Sequence, residues 1–135
     1  MTEAHLKLAD YYEIYALYRA LIEAKFSSAP RDTDIQGSPF VASVANKVMD
    51  ALIQKERDRG REDFARAWEA KRQMDPDAYP DLWRIALKGV EGFHAWLGWS
   101  REQKADFAAI LLSPFVASDD VLRRFIEEAD QAARL

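Results

Sequence analysis

Glu91 and His94 stand three residues apart, and on a helix that spacing sets a carboxylate beside an imidazole. The pair is half of the Glu-x-x-His signature with which di-iron carboxylate bundles hold metal. A complete site needs a second such pair and two further glutamates. The only other histidine, His5, has no glutamate three residues before it. A mononuclear site of Glu91, His94 and one distant carboxylate is the remaining metal chemistry. The plainer role for such a histidine is a hydrogen bond at the rim of an apolar face. Asp32, Asp34, Gln36 and Gly37 open like a calcium loop, but Ser43 occupies the twelfth position, where a bidentate Glu is required. Short acidic stretches of that kind are ordinarily solvated turns.

A second group of residues bears on binding. Tyr11, Tyr12, Tyr15 and Tyr18 place four hydroxyls along one helix, and buried hydroxyls need partners. A wet face such as a subunit interface or ligand groove suits rings with polar tips. Arg19, one turn after Tyr15, is placed to stack on a ring or clamp an anion. Core packing with the hydroxyls at the rim is the competing account of the same four residues.

These side chains need elements to hold them. The segment Leu82 to Leu97 is apolar almost all round, with Leu82, Ala86, Val90, Phe93 and Leu97 on one face and Trp83, Ile85, Leu87 and Trp96 widening it. That pattern predicts a central helix near 82–97, with Glu91 and His94 on it. Leu8, Tyr11, Tyr15, Tyr18, Ile22 and Phe26 predict a first helix from about Glu3 to Phe26. Ser27 to Gly37 reads as a loop. Ser38-Pro39 starts a second helix that stops near Gly60. A surface helix follows from Arg61 to about Met74, carrying Phe64, Ala65 and Trp68. Ser100 with Gln103 fits a capping box for a helix to Leu112, and Ser118 caps the last, to about Ala133. The expectation is an all-α, single-domain bundle of five or six helices spanning residues 1–135.

One hexapeptide occurs twice: Ser38-Pro39-Phe40-Val41-Ala42-Ser43 recurs as Ser113-Pro114-Phe115-Val116-Ala117-Ser118. Duplication of a two-helix unit would explain it, but the flanking residues do not align. Reuse of one way to start a helix is the simpler account, and it predicts that Phe40 and Phe115 are both buried near the central helix.

Composition narrows the function. A chain of 135 residues, 49% hydrophobic and 12% aromatic, buries about two-thirds of its unfolded surface without metal or disulfide support. It has no cysteine, so no thiolate chemistry or Cys zinc site is available. No apolar run is long enough for a membrane span, and the first ten residues do not resemble a signal peptide. Those features suit a cytoplasmic protein. The net charge of −4 disfavours nucleic acid. The run Lys55 to Arg72 mixes seven basic residues with five acidic ones, the pattern of a solvated, ion-paired face.

With no nucleophile, phosphate-loop or dinucleotide motif, the reading leans away from an enzyme and implies no cofactor. It favours a non-catalytic protein that binds a macromolecular partner, as an inhibitor, immunity protein or adaptor does, or that self-associates. Tyr11, Tyr15, Tyr18, Arg19, Trp83 and Trp96 are the candidate interface or ligand residues. The alternative is a small ligand or metal held between helices, with Glu91 and His94 lining the pocket.

Overall fold

The computed structural model describes residues 4–135 and is all-helical. Its helices are α1 (Tyr11–Lys25), α2 (Pro39–Asp58), α3 (Glu62–Arg72), α4 (Pro80–Lys88), α5 (Arg101–Leu112) and α6 (Asp119–Ala133), with a 3-10 helix at His94–Gly98 between α4 and α5. The described residues hold no strand, only an isolated parallel bridge between Gln73 and Val116. None of their helices is long and apolar enough to cross a membrane.

Most boundaries follow from capping chemistry. Ser38 Oγ accepts from Val41 N, Ser118 Oγ from Val121 N, and Ser100 with Gln103 forms the full reciprocal box. Gly60, at φ +71°, closes α2 in the left-handed region. The first helix starts later than its apolar stripe suggests. Glu3 lies outside the described residues, and residues 4–9 are not helical. Asp10 supplies the cap by accepting from Tyr12 N at 2.8 Å.

The stretch expected to be one central helix is divided. Helix α4 ends at Lys88, residues 89–93 turn, and the 3-10 helix follows. One glycine accounts for the division and a second lets α5 pack close beside it. Gly92 has φ +70°, a conformation that ends a right-handed helix, and its N–H donates to Ala132 O at the end of α6. Gly89 permits a close approach: a Cβ there would lie 2.6 Å from Leu111 Cδ2 and 3.2 Å from Ala86 O. Gly89→Ala is therefore expected to destabilise the protein by about 1–3 kcal/mol, because Leu111 is buried and has little room to move. A denaturation midpoint unchanged from wild type would contradict the tight contact.

The core has two centres. Ile14, Tyr18, Val48, Met49, Leu52, Ile53 and Ala65 join α1, α2 and α3. A larger cluster around Trp83, Ala86, Trp96, Leu111, Leu112, Phe115 and Phe125 joins α4, the 3-10 helix, α5 and α6. Ile22 packs against both. Polar ties reinforce the join. Lys25, fully buried, donates to Ile110 O and Ser113 Oγ, both at 2.7 Å. Arg72 donates to Pro114 O at 3.1 Å and pairs with Asp50 at 2.6 Å.

The two copies of the hexapeptide have different structures. Ser38-Pro39-Phe40 begins α2, with Phe40 at its second helical position and 82% exposed. Ser113-Pro114-Phe115 leaves α5 through a cis Ser113–Pro114 bond, and Phe115 is buried. Val116 N and O then bond Arg72 O and Met74 N, each at 2.8 Å. The helix start in this copy is its last residue, Ser118. The expected burial thus holds for Phe115 and fails for Phe40. The reason is azimuth. The core face of α2 carries Ala42, Ala45, Met49 and Leu52, and Phe40, two residues before Ala42, lies about 200° round the helix from it.

Candidate functional site

Helices α1 and α3 both pack along α2 and leave a groove between them. Tyr11 and Tyr15 stack with ring centroids 6.2 Å apart and planes 6° apart, and Tyr15 stacks on Tyr18 at 6.5 Å. The i, i+4 and i+3 spacings put these three rings in one row. Trp68 crosses from α3 and meets Tyr15 and Tyr18 edge-on at 6.1 and 5.1 Å. Phe64, Ala67 and Lys71 complete an open cavity of about 300 Å³ with Tyr11, Tyr15 and Trp68.

Burial is graded along the row. Tyr18 is buried, Tyr11, Tyr15 and Trp68 are half-buried, and Tyr12 and Phe64 are exposed. Burial, then the neighbouring Tyr79 and Tyr15 phenols, push the Tyr18 hydroxyl up to about 12. The row is therefore a core at one end and a wet aromatic surface at the other.

Cations sit against these rings. Arg59 lies 4.7 Å from the Tyr11 centroid, Arg61 3.9 Å from Phe64, Lys71 5.1 Å from Trp68 and Arg19 5.9 Å from Tyr15. Arg59 and Arg61 share the buried carboxylate of Glu56, at 3.4 and 3.9 Å. Among the described residues, Arg19 and Lys71 have no carboxylate within 4.0 Å.

The remaining sequence candidates lie elsewhere and do not converge. Glu91 and His94 are both exposed, on either side of the Phe93 cap that opens the 3-10 helix, so no common α-helix sets them side by side. Trp83 and Trp96 are buried, and each indole N–H is used internally. Trp83 Nε1 donates to Glu128 at 3.3 Å and Trp96 Nε1 to Asp130 at 2.7 Å. Burial would raise the Asp130 carboxyl, but hydrogen bonds from Lys104 and Trp96 outweigh it and hold the group below its usual range. Asp32 Oδ1 accepts from Asp34 N at 3.0 Å, an ordinary Asx turn. No group of three or more metal-ligating side chains occurs among the described residues.

The structure brings the sequence candidates Tyr11, Tyr15, Tyr18 and Arg19 together on α1 and sets against them residues of α3 that the sequence did not single out as a site. Phe64, Ala67, Trp68 and Lys71 fall at i, i+3, i+4 and i+7, one helical face. That stripe was the available signal, obscured by the alternating charges around it.

The arrangement is an aromatic groove with a cationic rim on an all-α bundle. No protein-family model, curated protein or solved structure matches this chain.

Proposed function

We propose that this is a non-catalytic binding protein whose working surface is the groove between α1 and α3. One observation carries the reading: a row of tyrosines crossed by a tryptophan, buried at one end and open at the other, with cations round it. Aromatic rings with polar tips, accompanied by arginine, are the residues that dominate binding energy at protein interfaces. An internal core would not require the hydroxyls of Tyr11 and Tyr15, nor leave Phe64 half in water.

Self-association through this face is disfavoured by its charge. A two-fold contact would bring Arg19, Arg59, Arg61 and Lys71 of one copy against the same four of the other. Light scattering is expected to give a monomer.

The test compares capture of a partner from the native host by the wild-type protein with capture by Phe64→Ala and Tyr15→Ala. Phe64 is 52% exposed, so its truncation leaves the fold intact, checked by thermal melting. Loss of capture by about tenfold or more is expected for each variant. Glu91→Ala and His94→Ala should capture as wild type does. A partner retained equally by all four variants would place binding elsewhere and end this reading.

A further inference from the structure

Resting on that reading, we infer that the segment seated in the α1–α3 groove is an acidic stretch of protein anchored by an apolar side chain. The whole chain carries a net charge of −4, yet four cations border this one groove. Glu56 is the only carboxylate within 4.0 Å of any of them among the described residues. Arg19 and Lys71 are exposed and meet ring faces, with their charge balanced by no acid. Local positive charge on an acidic protein attracts an acidic partner while repelling other copies of the same chain.

The geometry also separates a protein partner from a nucleic acid. Single strands bind aromatic platforms by stacking bases on free ring faces. Here a cation or a neighbouring ring already occupies one face of each. Arg61 covers Phe64, Arg59 covers Tyr11, Lys71 covers Trp68, and the tyrosines stack on one another. A guanidinium lying on a ring still directs in-plane N–H groups outward, in the fork that donates to a carboxylate. The open space of about 300 Å³ beside Phe64 and Trp68 takes one or two aliphatic side chains. Carboxylates at the rim and an apolar anchor in the middle therefore describe the segment.

The experiment selects from a displayed library of random peptides, about 12 residues long, on the full chain. Selection is repeated against Phe64→Ala and against the double variant Arg19→Glu/Lys71→Glu, both shown to be folded by melting. Expected are peptides rich in Asp and Glu around an aliphatic residue, weakened about tenfold or more by the charge reversal and restored by Lys71→Arg in place of the glutamate. Their binding should also fall in about 0.5 M salt, where the screening length drops to roughly 4 Å. Peptides without acidic residues that still depend on Phe64 would overturn the acidic assignment and leave the groove as a binding site. Peptides indifferent to both variants would overturn the groove and the assignment together. No selected peptide, with an oligothymidylate bound and lost in the charge reversal, would replace protein by nucleic acid. Failure of every probe to bind also counts against the assignment.

Discussion

Phe115→Ala is expected to lower stability by about 3–5 kcal/mol, the cost of emptying a filled aromatic site, while Phe40→Ala changes it by no more than about 0.5 kcal/mol. The two residues occupy the same place in an identical hexapeptide, so the contrast isolates tertiary context. Phe115 is 4% exposed and lies 5.8 Å from the Phe26 ring and 6.1 Å from the Tyr79 ring. Removing it opens a cavity where the connector after α5 meets α1 and the segment leading into α4. Phe40 is 82% exposed, and its truncation removes little but solvent contact. Ser38→Ala should fall between them at about 1 kcal/mol, because it removes a single cap. In a domain of this length the Phe115 variant should melt roughly 10–20 °C below wild type. Equal melting of the two phenylalanine variants would refute the difference in their surroundings.

That contrast also shows where local pattern stops being informative. Serine caps, prolines at first helical positions and apolar periodicity are short-range signals, and they place α2, α5 and α6 closely. The expected helix over 82–97 fails for a long-range reason. Its apolar rhythm continues through Phe93 and Leu97, but the chain turns at Gly92, whose φ is +70° and whose N–H is taken by Ala132 O, and it packs Leu111 where a side chain at Gly89 would stand. Both constraints come from residues at least twenty positions away. The hexapeptide makes the same point, since Arg72 at the end of α3 and Met74 just beyond it capture Val116 in one copy and nothing equivalent meets Val41 in the other.

The candidate site was legible in part. Four tyrosines on one helix mark an aromatic row from spacing alone, but not which rings are wet: Tyr18 is buried, Tyr11 and Tyr15 are half-buried and Tyr12 is exposed. The residues facing them across the groove could not be chosen, because pairing α1 with α3 depends on both leaning on α2. The charged run Lys55 to Arg72 reads uniformly as solvated, yet it contains a fully buried Glu56 as well as the two arginines that Glu56 holds beside the rings. Mixed charge in sequence conceals which members are desolvated. Lys25 is the sharpest case. It looks like an ordinary basic residue in the last turn of α1 and is 1% exposed.

Lys25 yields a pH dependence with a definite sign. Its ammonium has no carboxylate within 4.0 Å among the described residues. It donates to the Ile110 carbonyl in the last turn of α5 and to the Ser113 hydroxyl, where orphan carbonyls and the helix dipole favour a donor. Desolvation nevertheless dominates and pulls its pKa from 10.5 down to about 8. Below pH 8 both the folded and unfolded chains hold the proton, and the cost of burying the charge is fully present. Between pH 8 and 10.5 the folded chain has released it while the unfolded chain has not, so stability rises with pH. The neutral amine still has two N–H groups for its two acceptors, so the contact survives deprotonation. Above pH 10 the raised Tyr18 phenol acts the other way, but it is common to any Lys25 variant and cancels in a difference. Urea denaturation at pH 7 and pH 10 should therefore show wild type gaining about 2 kcal/mol relative to Lys25→Met. The methionine variant keeps the apolar stem, and Ser113 Oγ, already 3.0 Å from Ile110 O, continues to satisfy that carbonyl. Parallel stability curves for the two proteins would mean that Lys25 keeps its charge in the folded state, with the helix end compensating for the lost water.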